Sequence, residues 1–462
     1  MRAAGIVWGA LILSVLAPCA FALGPHEVLL LANRNSPVSL ALAHDYAALR
    51  HIPDSNVVPL DLPAPPPLEI TASEFNRLIW EPARRAARER GLDDHILAWV
   101  YSVDFPILIT AAPALSIEGL TFLKGKLPPG DLVNSGTYAS PLFAGPDTHA
   151  SRGFPPQSFD VQHAWLGKDM PVPSMMLGFM GKGGNTLGEI MACLTNGVRA
   201  DRTMPDGAVY MITNADVRSL CRQWEFAPTA RELNTLGIPA IITNAYPVDT
   251  ATTGGVPIGV MGLMTGAADI PEVAAGRFHF LPGALADHLT SFGAAFGNTA
   301  QTKITAWIKA GATASAGTVV EPMSIWQKFP HARVFAHPVA GCTLIESFYQ
   351  AIRCPLQILI IGEPLSAPWG AQSTLSIQGL AAGVAVTNRC PVSARIQSHN
   401  GEVFTRFMFL FDGRTLQPAG KSPEMTLDPA AFPSGRHTLR IVAYAVGSVR
   451  SQIYSEIKFE AK

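Results

Sequence analysis

Asp287, His288, Thr290 and Ser291 fall within the seven-residue run Asp287-His-Leu-Thr-Ser291-Phe-Gly293. A carboxylate, an imidazole and a hydroxyl are the parts of nucleophilic catalysis: the hydroxyl attacks, the imidazole takes its proton and the carboxylate orients the imidazole. Ser291 would be the nucleophile, His288 the base and Asp287 the orienting group. Glu321, just before Pro322, is a second carboxylate for the orienting role. Residues this close in sequence rarely aim three side chains at one point. The same run also reads as a loop and helix start capped by Thr290 or Ser291.

Two other runs fail their chemical tests. Gly178-Phe-Met-Gly-Lys-Gly-Gly-Asn-Thr186 has the glycines of a phosphate loop, but such a loop needs a hydroxyl residue directly after its lysine. Gly183 follows Lys182. Thr313-Ala-Ser-Ala-Gly317 approaches a nucleophile elbow, which requires strand, sharp turn and then helix. Here a helix precedes Ser315 and an apolar run continues to Val320, so small residues for close packing are the better account. No cysteine or histidine spacing calls for a metal, and no motif calls for a cofactor.

The chain opens with an export signal. Arg2 precedes the apolar run Ala3–Leu16, and Ala20-Phe21-Ala22 is a small-x-small cleavage site. The apolar run falls short of the ~20 residues a membrane span needs, and Pro18 before Cys19 fits a lipidation box poorly. Cleavage after Ala22 would leave no span and five of the six cysteines. That odd number leaves at least one thiol unpaired, and small buried hydrophobes with one bridge at most is the expected state. Charged residues are 15% of the chain and its net charge is −1, which gives no reason to expect a nucleic-acid partner. Arg84, Arg85, Arg88 and Arg90 read as the solvated face of a helix.

The candidate residues need a frame, and the sequence supplies one. Apolar runs at Val28–Ala32, Val57–Leu60, Ile96–Val103, Ala208–Thr213, Gly237–Thr243, Val256–Met264, Ala312–Val320 and Leu356–Gly362 alternate with helical patterns. Capping signals stand at Asn35 or Ser36 before Pro37, at Thr71–Glu74, at Thr186–Glu189 and at Asp216. Such alternation predicts an α/β domain with a mostly parallel sheet covered on both faces by helices. Functional groups of an open sheet gather beyond the carboxyl ends of its strands, which directs attention to Asn33, Asn35, Asp104, Asp216, Thr265, Asp269 and Glu321. Residues 124–160 predict a long irregular excursion. After Pro368-Trp-Gly370 the pattern changes to short alternating runs, with a hairpin signal at Phe411-Asp-Gly-Arg414. About seven short strands there fit an immunoglobulin-like β-sandwich.

Several runs carry a resemblance. Leu31-Ala-Asn-Arg-Asn-Ser36, Asn214-Ala-Asp-Val-Arg-Ser219, Leu281-Pro-Gly-Ala-Leu-Ala-Asp287, Gly317-Thr-Val-Val-Glu-Pro322 and Ile361-Gly-Glu-Pro-Leu365 resemble a family of exported bacterial proteins with no established activity. More distantly, the order of elements resembles gingipain-type cysteine peptidases of the caspase-like clan, which carry an immunoglobulin-like domain after the catalytic one. That resemblance implies a histidine at the end of strand 256–264 and a cysteine after the next strand. The chain has Met264-Thr-Gly266 and Thr290-Ser291 at these places.

The expectation is therefore a signal peptide over 1–22, a caspase- or gingipain-like α/β domain over 23–370 and an immunoglobulin-like sandwich over 371–462. The expected product is periplasmic or secreted and acts as a non-peptidase binding or assembly protein with a cell-envelope partner. The alternatives are a hydrolase built on Ser291, His288, Asp287 and Glu321, and a surface- or carbohydrate-binding protein.

Overall fold

The computed structural model describes residues 20–248 and 259–462. Residues 1–19, most of the expected signal peptide, and residues 249–258 lie outside that description.

Local signals set the helix starts. Ser36 accepts the Ser39 amide at 3.1 Å, and Pro37 takes the first position of the helix Pro37–Arg50. Reciprocal capping boxes open Ala72–Phe75 from Thr71 and Glu74, Leu187–Ala200 from Thr186 and Glu189, and Leu344–Ala351 from Thr343 and Glu346. Asp216 caps Val217–Leu220. On the arginine-rich helix, Arg84 and Arg88 meet Asp93, and Arg90 reaches the carbonyls of Ser55 and Val57.

Ten strands form one sheet: β1 Val28–Asn33, β2 Val57–Leu60, β3 Ala98–Tyr101, β4 Ser174–Met176, β5 Gly207–Ile212, β6 Ala240–Thr243, β7 Gly259–Gly266, β8 Phe280–Leu289, β9 Ala314–Thr318 and β10 Ile358–Gly362. Their spatial order is β6-β5-β7-β8-β9-β10-β4-β3-β1-β2. Within β6 to β9 every pairing is parallel, as it is within β10 to β2. Only β9 and β10 run antiparallel, with Ala314 opposite Gly362 and Thr318 opposite Ile358. Numbered within itself, each half reads 2-1-3-4-5, a doubly wound order, and the two halves join at their fifth strands. The carboxyl ends of the two sets of strands consequently emerge on opposite edges. The molecule has two switch points, one between β1 and β3 and the other between β5 and β7.

The seam is close-packed. A Cβ on Gly317 would stand 2.6 Å from the Ile304 side chain and 3.0 Å from the Gly293 backbone. Arg50 anchors the flank of the first half: fully buried, it pairs with Asp201 and lies 2.5 Å from the Glu363 carboxylate, which also accepts the Tyr46 hydroxyl. Glu363 follows β10 directly, so this cluster fastens a helix of the first half to the strand at the seam.

The tail is a two-sheet sandwich. One sheet holds Phe404–Phe411, Arg414–Gly420, Gly435–Ala445 and Gln452–Ala461, with Ala20–Phe21 and Ala385–Val386 added to the last of these. The other holds Thr374–Gln378, Cys390–Gln397 and Glu424–Leu427. Phe407, Phe409, Leu439, Ile441 and Phe459 fill the space with Leu375, Val392 and Leu427. At the predicted hairpin, Asp412 and Gly413 have φ of 48° and 80°, the signature of a two-residue turn matched to strand twist. Arg406 and Arg450 both bond Asp160 of the α/β body. The expected α/β class, with a mostly parallel sheet followed by a β-sandwich, is the observed architecture. The described cysteines Cys193, Cys221, Cys342, Cys354 and Cys390 are all unpaired thiols, so the possible bridge is not formed among them. No helix among the described residues is long and apolar enough to cross a membrane.

Candidate functional site

The residues at the carboxyl ends of the strands divide between the two edges. Asn33, Asn35 and Asp104 stand on the first, whereas Asp216, Thr265, Asp269, Asp287, His288, Ser291 and Glu321 stand on the second. On the first edge the polar groups satisfy one another. Asn33 donates to the carbonyls of Pro63 and Asp104, Asn35 donates to Leu62, and Ser36 donates to Asp104 at 2.5 Å.

On the second edge the run around Asp287 is strand, not the expected loop and helix start. It forms the last residues of β8, in register with β7: Met264 faces Asp287, Thr265 faces His288 and Gly266 faces Leu289. The helix that follows begins only at Ile304. Alternation along a strand sends successive side chains to opposite faces. Asp287 and His288 therefore cannot meet.

Asp287 turns to Arg222, whose Nη1 lies 2.5 Å from Oδ2. Both groups are buried, and Arg222 also donates to the carbonyls of Pro330 and Thr265. Burial raises the Asp287 carboxyl and Arg222 opposes the rise. Nearby Glu225 is also buried, accepts the Ala332 amide at 2.9 Å and is raised by burial to about 8, with Arg222 again opposing.

His288 sets its ring against Trp307 on the other face. Its Nδ1 accepts the indole N–H of Trp307 at 2.7 Å, so Nε2 carries the proton and donates to the Thr302 carbonyl at 3.0 Å. Burial pulls this imidazole down to about 3. Both ring nitrogens are used and neither faces a hydroxyl.

Ser291 is half-buried, and its carbonyl accepts the Thr318 hydroxyl at 3.0 Å. Its own hydroxyl bonds no described residue. Thr290 instead donates to Gln301 at 2.7 Å. Glu321 is exposed and accepts the amide of Met323. The four candidates thus share an edge but not a point: Asp287 belongs to an ion pair, His288 to its bonds with Trp307 and Thr302, Glu321 to a turn.

The edge holds groups that the sequence did not mark. Lys303 donates to the carbonyls of Phe292 and Ala300, and burial lowers its ammonium to about 8 against the pull of Asp269. Tyr246 lies 3.3 Å from the Thr265 hydroxyl. Neither occupies a motif, and only the path of the surrounding loops brings them here. Burial raises the thiols of all five described cysteines, Cys354 to about 11, which disfavours the thiolate. Ser315 sits mid-strand in β9 with its hydroxyl buried and unbonded, which removes the elbow reading. No group of three or more histidine, cysteine or acidic residues among the described residues is arranged to hold a metal.

No protein-family profile and no curated protein matches the chain. Among solved structures it is similar to the complex of Porphyromonas gingivalis RgpB pro- and mature domains, at 12% identity over 94% of this chain and 100% of that one, with a TM-score of 0.45. It is also similar to the Arg-specific cysteine proteinase gingipain R (RgpB), at 12% identity, 95% and 98% coverage and a TM-score of 0.46. A shorter match, to fibronectin(III)-like modules of Clostridium thermocellum CbhA, covers 24% of this chain and 54% of that one at 16% identity and a TM-score of 0.17.

Proposed function

We propose that the chain is an exported protein that binds or assembles at the cell envelope through an α/β scaffold, without peptidase activity. The observation that carries this reading is the imidazole of His288, enclosed between Trp307 and Thr302. A general base must reach the proton it removes and titrate near the working pH. His288 meets neither condition, and Asp287 is on the far face with Arg222. The test is labelling of the mature protein with a fluorophosphonate and with an iodoacetamide probe. No fluorophosphonate labelling of Ser291, with iodoacetamide reacting only slowly at the partly exposed Cys221 and Cys390, supports the binding reading; stoichiometric labelling of Ser291 or rapid native labelling of any cysteine overturns it.

One observation favours the hydrolytic alternative. Lys303, with an ammonium lowered to about 8, bonds the carbonyl of Phe292, the residue after Ser291. An amine of that kind can serve a serine nucleophile as base. Labelling of Ser291 that disappears in Lys303→Met, with the variant still folded, would establish that alternative.

A further inference from the structure

We propose that the cleft between the α/β body and the sandwich binds a small multivalent anion, a molecule carrying two or more phosphate or carboxylate groups. The cleft is about 850 Å³ and lies far along the chain from the β8 residues. One wall is the end of the helix Pro37–Arg50 and the turn after it, from His44 to Ser55. The other is the Phe411–Arg414 hairpin with the strands Gly435–Ala445 and Gln452–Ala461. Clefts of this size at domain boundaries are where small ligands bind.

The charges are what select the ligand. Arg414, Arg436 and Lys458 line the cleft, are exposed and have no ion-pair or hydrogen-bond partner among the described residues. Two further cations are held in place. Arg440 bonds Glu456 at 2.9 Å and also reaches the carbonyl of His51. His437 places Nδ1 2.7 Å from Asp412 and Nε2 2.8 Å from the Pro433 carbonyl. A carbonyl only accepts, and a carboxylate accepts, so both ring nitrogens donate and the ring is an imidazolium. Against these stand the carboxylates of Asp54, Asp412 and Glu456. Two of them are already engaged by Arg440 and His437, which leaves three free cations facing one free carboxylate. This local excess arises in a chain whose net charge is −1. Low-dielectric walls focus such a field and raise the local concentration of anions.

A second cavity of about 440 Å³ adjoins the first, sharing His44, Asp54, Ser55 and Arg414. Arg414 therefore stands between two lobes, which suits a ligand with separated anionic groups better than a single ion. The inference is independent of whether the β8 edge is catalytic.

Isothermal titration of the mature protein with inorganic tripolyphosphate tests it, with inorganic phosphate as the single-anion comparison. Saturable one-to-one binding of tripolyphosphate, weakening with salt, is expected. Each exposed charge contributes modestly, about threefold. Arg414→Gln/Arg436→Gln/Lys458→Gln should therefore weaken binding by about tenfold or more, with an unchanged melting temperature. The control Arg84→Gln/Arg85→Gln/Arg88→Gln removes as many cations from another surface and should bind like wild type. Absence of saturable binding, or equal losses in the two triple variants, overturns the proposal. Sedimentation with cardiolipin vesicles, whose headgroup carries two phosphates, separates the sources: retention lost in the cleft variant points to a lipid headgroup, and no retention to a soluble anion.

Discussion

Trp307 donates its indole N–H to Nδ1 of His288 across 2.7 Å, and this one bond fixes the tautomer of the histidine. The imidazole is folded in as a neutral group. Its pKa is near 6.5 when unfolded and about 3 when folded. Between those values the unfolded chain binds a proton that the folded chain refuses, so stability falls as pH is lowered through that window. The slope from this residue approaches one proton, about 1.4 kcal/mol per pH unit. His288→Phe should cost about 2 kcal/mol at pH 7, where it orphans the Trp307 donor and the Thr302 acceptor. Because only the wild type loses stability through this window, the difference should vanish near pH ~5 and reverse by pH 4, where the variant becomes the more stable protein. Urea midpoints of both proteins at the two pH values measure it, and a pH-independent difference would refute the assignment.

The pair Arg222–Asp287 makes the opposite prediction about charge. Asp287→Asn leaves a buried guanidinium without its counter-charge and should destabilise by about 3–5 kcal/mol. Arg222→Met should cost at least as much, because the carbonyls of Thr265 and Pro330 lose their donor as well. Arg222→Met/Asp287→Leu should recover part of the loss, which a double-mutant cycle of melting temperatures would show.

These two residues also show how far the sequence could be read. Caps at Ser36, Thr71, Thr186 and Asp216 were legible because their partners are three residues away or fewer. The end of β8 was not. Pro282 and Gly283 break its pattern, and Asp287 and His288 give it polar side chains on both faces. The groups that satisfy them, Arg222 and Trp307, lie 65 and 19 residues away in the chain. The reversal at the seam was equally hidden, since nothing in the apolar run Ile358–Gly362 records its direction. Alternation of helices and apolar strands was enough for the α/β class and for the β-rich tail. It could not show that the sheet is two halves with opposed carboxyl edges, and so it pooled Asn33 and Asp104 with Thr265 and Glu321.

The five thiols should separate by burial. Cys221 and Cys390 are partly exposed, whereas Cys193, Cys342 and Cys354 are buried. Alkylation by iodoacetamide followed by mass spectrometry should modify the first two slowly at pH 7 and faster at pH 9, because it is the thiolate that reacts and burial raises both groups. The other three should react only after unfolding. Rapid native labelling of Cys342 would contradict the placement of its side chain.

Two glycines give a last contrast on the second edge and beside it. Gly266 ends β7, and a Cβ there would lie 2.3 Å from the backbone of Arg218 and Ser219. No side-chain rotation relieves a clash with backbone, so Gly266→Ala must push the Val217–Leu220 helix away from the sheet. The expected loss is about 2–3 kcal/mol. Asn214 donates to the Gly266 carbonyl at 3.0 Å and would move with it, shifting the polar groups around the β5–β7 switch point. Gly188, exposed near the start of Leu187–Ala200, meets nothing closer than 4.0 Å. Alanine there removes backbone freedom from the unfolded chain without contact, for a gain of about 0.5 kcal/mol. Opposite shifts in melting temperature for the two variants are the expected result. A neutral Gly266→Ala would mean that the helix does not rest on β7, and the second edge would then be open where the structure shows it closed.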